Sequence, residues 1–123
     1  MDGKTYLGKR ATIEIDRPLG SKHPQYDLIY PVNYGFIPET VAGDGKEIDV
    51  YLLGVFEPLQ KSDVEIIALI ERMDDIEFKL VAVQSGRHYS VEQIYALVEF
   101  QERFFKVQIS QIKNGKVVTF SNY

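Results

Sequence analysis

The sequence predicts a mainly β protein of the α+β class, a small closed or partly closed barrel with one helix packed against it in the C-terminal half and a terminal hairpin. Three observations lead there. Short apolar or alternating segments fill the first two thirds of the 123 residues. One amphipathic segment with a cap signal follows, and two short strands around an Asn-Gly turn end the chain. With 45% of its residues apolar, a chain of this length builds one core, so residues 1–123 are expected to form a single domain.

Residues 12–15 alternate polar and apolar side chains and read as a strand. Pro18, Gly20, Ser21 and Pro24 then mark a loop leading to a second short extended piece at 27–30, where Tyr30 is biased to extended geometry by Pro31. Residues 48–55, 64–70 and 80–83 are apolar runs suited to buried strands. Ser90 stands where a helix cap belongs, with Gln93 three residues on as in a capping box. Ile94, Leu97, Val98, Gln101 and Phe104 or Phe105 follow at helical spacing, the two phenylalanines reading as ordinary helix core. Residues 107–112 and 117–120 flank Asn114-Gly115 and read as a hairpin with a two-residue turn.

The formal net charge is −4, and the basic residues are scattered, so the electrostatic footprint of a nucleic-acid binder is missing. No apolar run is long enough to cross a bilayer and no N-terminal signal segment is visible, which makes a cytoplasmic location the expectation. Cysteine is absent, which excludes disulfides, thiolate nucleophiles and thiolate zinc sites. Any metal would be held by oxygen or by the two histidines, and oxygen ligands favour magnesium or manganese. His23 and His88 are isolated in loops and are assigned no role.

The densest chemistry lies in residues 30–54. Tyr30, Pro31, Asn33, Tyr34, Gly35, Phe36, Ile37, Pro38 and Thr40 are followed by Asp44, Gly45 and Asp49. In this order they resemble the soluble inorganic pyrophosphatases of the family I type, whose pattern is a YPxNYGFIPxT segment, an Asp-Gly-Asp-Pro-x-Asp turn and an apolar strand. The resemblance extends to residues 74–83, where two aspartates precede a Lys-Leu-Val-Ala-Val strand as in the family. It implies an OB-like five-stranded barrel, magnesium-dependent hydrolysis of inorganic diphosphate to two phosphates (manganese being a possible substitute), and self-association into a homo-oligomer. This chain is a short, divergent member. Residues 13–17 lead through a short loop straight to Tyr30, where the family carries a separate hairpin.

Breaking a phosphoanhydride requires charge on both phosphoryl groups to be neutralised while a water is activated. The tight turn at Gly45 can bring Asp44 and Asp49 toward one pocket, and the resemblance makes both metal ligands. Farther along, a period of two puts Glu77 and Lys79 on one strand face, with Phe78 and Leu80 on the other. Glu77 and either Asp74 or Asp75 are the remaining candidate ligands. Arg17, Tyr34, Lys79 and Lys106 are the candidate phosphate binders, since guanidinium and ammonium groups suit phosphate oxygens.

Two departures bear on activity. Lys46 stands where the family has its middle aspartate, the group the resemblance implies as acceptor of the attacking water's proton. Phe105-Lys106 replaces a Tyr-Lys pair. If the strand begins early, Glu47 shares a face with Asp49 and can supply the missing carboxylate while Lys46 points away, which makes Glu47 and Asp49 the catalytic candidates. Two alternatives stand beside the diphosphatase reading. One is a divergent hydrolase of another phosphoanhydride or phosphoester, and the other is a catalytically degenerate binding protein on the same scaffold.

Overall fold

A computed structural model describes residues 3–42, 45–74 and 76–123. Five strands close on themselves: β1 (Arg10–Arg17), β2 (Asn33–Ile37), β3 (Ile48–Leu52), β4 (Lys61–Arg72) and β5 (Phe78–Val83). Their order around the barrel is β1-β2-β3-β5-β4, and β4 pairs back onto β1. All neighbours are antiparallel except β3 and β5. The helix α1 (Val91–Glu102) follows, and the hairpin of β6 (Val107–Lys113) and β7 (Lys116–Phe120) extends the sheet from β4. The expected mainly β, OB-like five-stranded barrel with one helix and a terminal hairpin is the architecture found.

Alternation along the strands divides the core in two. Ile13, Ile37, Ile48, Val50, Val64, Ile66, Leu80 and Ala82 come from all five barrel strands and fill the barrel. Their neighbours in sequence, among them Tyr51, Ala68, Ile70, Val81 and Val83, turn outward against Val91, Ile94 and Val98 of α1 and Ile109 of β6. Every residue of β5 is therefore buried, which is why its sequence reads as a continuous apolar run rather than an alternating one. β4 is the longest strand and carries a register shift between Ile66 and Ala68. The shift bends it, so that its first half pairs with β1 and its second with β6.

Ser90 caps α1 with the reciprocal capping box expected from Gln93, and Asn114 and Gly115 both take positive φ in the two-residue turn. The helix stops at Glu102, with Arg103 as its C-cap, so Phe104 and Phe105 lie beyond it. Residues 27–30 form no strand. They are the return arm of a small loop closed by Lys22 pairing with Ile29 and by the Gly20 amide donating to the Tyr30 carbonyl at 2.8 Å.

β2 was not foreseen as a strand. Its middle residue, Gly35, sits opposite Ile15, and a Cβ there would lie 1.8 Å from the Glu14 carbonyl oxygen. Only glycine lets β1 and β2 approach this closely. Beside it the buried Asn33 accepts from the amides of Leu19 (3.0 Å) and Leu59 (3.2 Å) and donates to the Glu57 carbonyl (3.0 Å), tying two loops to the barrel. Among the described residues no helix is long and apolar enough to cross a membrane.

Candidate functional site

A cleft of about 430 Å³ opens beside the β3–β5 pair. Parallel pairing sets Asp49 directly across from Lys79, so both side chains leave the sheet on the same side. The Lys79 ammonium donates to Asp49 Oδ2 at 2.7 Å and also to Glu77 Oε1. Glu77 precedes β5 and shares the Lys79 face, as the period of two requires, while Phe78 and Leu80 enter the barrel core. The other Glu77 oxygen accepts from Arg72 Nη1 at 3.0 Å. Arg72, the last residue of β4, also grips the fully buried Glu102 of α1 with two donors, Nε at 3.0 Å and Nη2 at 2.9 Å.

The network continues inward. Tyr51 donates to Glu102 Oε2 at 2.6 Å, Gln101 Nε2 donates to the Tyr51 hydroxyl at 2.6 Å, and Tyr30 donates to Gln101 Oε1 at 3.0 Å. One hydrogen-bonded chain thus runs from Asp49 at the cleft to the end of the helix. The Arg72 guanidinium also lies 3.7 Å from the centre of the Phe105 ring.

Electrostatics follow from this packing. Burial opposes the Lys79 charge, but Tyr34, Asp49 and Glu77 together outweigh it and the pKa is raised, so the ammonium persists through the physiological range. Burial pushes the Tyr34 phenol up as well, which keeps it a neutral donor beside Asp49 and Lys79. Asp16 also lines the cleft. Its carboxyl is raised by desolvation and by Asp49, against the pull of Arg17.

Of the residues expected at the site, Arg17, Tyr34, Asp49, Glu77 and Lys79 line the cleft together. Arg17 is held by its own Nη1, which donates to the Asp16 carbonyl at 3.1 Å. Asp74 is exposed and stands outside the cleft lining. Lys106 is also exposed and outside it, because the ring of Phe105 takes the inward position under Arg72. Asp44 and Asp75 lie outside the described residues. β3 begins only at Ile48, so Glu47 precedes the strand. It lines a smaller adjoining concavity together with Asp16 and Asp49. Lys46 lines both hollows.

Sequence reasoning missed Asp16, His23, Arg72, Gln101, Glu102 and Phe104, all of which line the cleft or brace it. Phe104 is not helix core. It is 56% exposed and stacks on Tyr26 at 5.7 Å at the rim. Arg72 and Glu102 had one available signal: each is a charge that continues an apolar face, Ala68 and Ile70 in β4 and Val91, Ile94 and Val98 in α1.

Among the described residues no three carboxylates or histidines are gathered as a ready metal cage. Magnesium does not need one, since it commonly takes one or two carboxylates and completes its octahedron with water and phosphate oxygens. Asp16 and Asp49 suit that role. They are hard oxygen donors in one cleft, and burial, with a smaller contribution from Asp49, raises the Asp16 carboxyl. The donor set therefore fits a small divalent ion.

An OB-like barrel with facing carboxylates and cations in one polar cleft defines a protein class suited to a phosphate-rich anion. The comparisons with known proteins agree. Residues 7–120 match the family described as inorganic pyrophosphatase. The chain is 32% identical over 108 residues to an inorganic pyrophosphatase of Aquifex pyrophilus, an alignment covering 78% of this chain and 60% of that protein. It is 36% identical over 79 residues to one from Saccharolobus solfataricus, covering 61% of this chain and 43% of the other. The chain thus spans about 60% of the first relative's length and less than half of the second's. The fold is shared with the inorganic pyrophosphatase of Ehrlichia chaffeensis (TM-score 0.64, 20% identity, 82% of this chain and 84% of that one). It is shared too with that of Thermus thermophilus (TM-score 0.60, 18% identity, 99% and 86%). This chain belongs to the inorganic pyrophosphatase family.

Proposed function

We propose that the chain hydrolyses inorganic diphosphate to two phosphates with a divalent cation, magnesium first and manganese as a substitute. The observation that carries the reading is the Asp49–Lys79 pair set by strand register, with Asp16, Arg17, Glu77 and Arg72 around the same cleft. The family match favours this reading over another phosphoanhydride or phosphoester substrate and over a degenerate binding role.

Lys79, Arg17 and the N–H groups of Arg72 that its carboxylate partners leave free offer donors to phosphoryl oxygens, and Tyr34 offers a neutral hydroxyl. Lys79 and Arg72 are locked by their carboxylate partners, so binding substrate immobilises little that is not already fixed. Asp16 and Asp49 would hold the cation, which would supply charge neutralisation and acidify the attacking water. Glu47, beside both of them in the adjoining concavity, accepts the proton of the attacking water, and Lys46 donates hydrogen bonds to a phosphoryl oxygen. Asp44, Asp74, Asp75 and Glu77 remain candidate ligands within this proposal. Self-association into a homo-oligomer and a cytoplasmic location belong to it too.

Phosphate release from diphosphate, measured with and without magnesium on the native chain and on Glu47→Gln and Lys46→Asp, tests it. Magnesium-dependent release lost in Glu47→Gln is the expected result. Release only from Lys46→Asp identifies a site disabled at its base, and unchanged turnover in Glu47→Gln removes Glu47 from the mechanism.

A further inference from the structure

We infer that His23 is a substrate-binding residue of the cleft, donating the proton on its Nε2 to a phosphoryl oxygen. This rests on the diphosphate reading above and adds to it a donor from the short loop between β1 and β2.

The geometry fixes which nitrogen carries the proton. His23 Nδ1 accepts two backbone hydrogen bonds, from the amides of Gln25 at 3.0 Å and Tyr26 at 3.2 Å. A nitrogen that accepts from two donors cannot itself bear a proton, so the imidazole is neutral with its hydrogen on Nε2. The ring is also held in place. It stacks at 9° on Tyr30, 5.9 Å between centroids, and lies 4.9 Å from Tyr26. The loop beneath it is pinned by the His23 amide donating to the Leu28 carbonyl at 2.9 Å and the Tyr30 amide donating to the Ser21 carbonyl at 2.9 Å. Tyr30 is in turn anchored through Gln101 to the buried network.

This ring lines the same cleft as Arg17, Lys46, Asp49, Arg72 and Lys79. Nδ1 is committed to the loop, so Nε2–H is the one polar group the ring has left to offer. Arg17, Lys46, Arg72 and Lys79 in the cleft donate as cations. Lys79 and Arg72 are each engaged by carboxylates, whereas a neutral N–H brings a directed donor that adds no charge to the cleft. Phe105 supplies no hydroxyl, so a further neutral donor in the cleft is chemically useful.

Two substitutions separate the roles of the two nitrogens. His23→Asn keeps an acceptor for the loop amides in an Asx-type turn but removes the distal donor. His23→Gln places an amide N–H near the Nε2 position and gives up the loop acceptor. Calorimetric affinity for diphosphate, measured on the intact protein beside the phosphate-release assay, is expected to weaken about tenfold or more in His23→Asn. In His23→Gln most of the affinity should return. The reverse order, with His23→Asn binding like the native chain and His23→Gln weakened, shows a purely structural histidine and overturns the inference. Native binding without hydrolysis removes the diphosphatase reading and leaves the ranking of the variants to judge His23. Hydrolysis with equal affinities in all three removes His23 alone, and no diphosphate binding by the native chain removes both.

Discussion

Replacing Glu102 by Gln tests whether the charged wall of the cleft is anchored from the helix. Glu102 is fully buried and accepts three hydrogen bonds, two from Arg72 at 3.0 and 2.9 Å and one from Tyr51 at 2.6 Å. The substitution keeps the shape but removes the charge and turns one acceptor into a donor, which must then face Arg72 or the Tyr51 hydroxyl. Arg72, itself buried, is left with Glu77 as its carboxylate. Opposite charges about 4 Å apart at an effective dielectric of about 20 attract by about 4 kcal/mol, and breaking one side of a buried pair costs about 3 to 5 kcal/mol. Glutamine retains one accepting oxygen, so a loss of about 3 kcal/mol is expected, a large share of the stability of a small domain. Urea unfolding at neutral pH should show a lower midpoint with an unchanged slope. A loss under about 1 kcal/mol refutes the assignment of Glu102 as the anchor. Replacing both partners, Arg72→Met with Glu102→Leu, should cost less than Glu102→Gln alone, because no buried charge is then left unpaired. Phosphate release should fall in both, since Arg72 no longer faces the cleft as a fixed cation.

Gly35→Ala is expected to prevent barrel closure, because its Cβ would sit 1.8 Å from the Glu14 carbonyl oxygen and 2.7 Å from the Glu14 carbonyl carbon, both backbone atoms that cannot swing aside. Loss of the cooperative unfolding transition checks this, and a native-like midpoint refutes it. Asp16→Asn should separate stability from function. Desolvation and Asp49 raise the Asp16 pKa, with Arg17 opposing, so the folded chain holds this proton more tightly than the unfolded chain. Its contribution is most favourable below the unfolded carboxyl value and is lost as pH rises through the folded one. Without metal, Asp16→Asn should therefore be more stable than the native chain at neutral pH. The advantage should shrink as pH falls below the ordinary carboxylate range, while magnesium-dependent phosphate release is lost. Lower stability of the variant at neutral pH in urea titrations removes the desolvation argument.

The elements that could be read from sequence were those whose signal is local. The Ser90–Gln93 box, the Asn114-Gly115 turn and the apolar period of β4 and β5 each depend on residues a few positions apart, and each stands where expected. β2 escaped because Asn33, Tyr34 and Gly35 have the composition of a turn. Asn33 is instead a buried tie between loops, and Gly35 is required by the neighbouring backbone. The site divides in the same way. Glu77 and Lys79 could be placed on one face from strand period alone. That Lys79 meets Asp49 depends on the parallel register of β3 with β5, and that Arg72 meets Glu102 depends on where α1 lands. Neither is written in any short window of the chain.

Phe105 shows why a site read residue by residue from a family pattern is incomplete. Set against the pattern, its ring counts only as a lost hydroxyl, which makes the grip on phosphate weaker. In the fold the ring lies under the Arg72 guanidinium at 3.7 Å, and an arginine over an aromatic face is held by the ring's quadrupole while its N–H edge stays available. Glu102 and Glu77 take three of its five donors in the plane of the guanidinium. Phe105 covers a face of the same group, so the aromatic residue and the two carboxylates constrain one cation in perpendicular directions. The loss of the phenol is thereby offset in part by a better-fixed guanidinium. The short loop carrying His23 fits the same logic, since under the inference above it adds a neutral donor to the cleft that Phe105 leaves without a phenol.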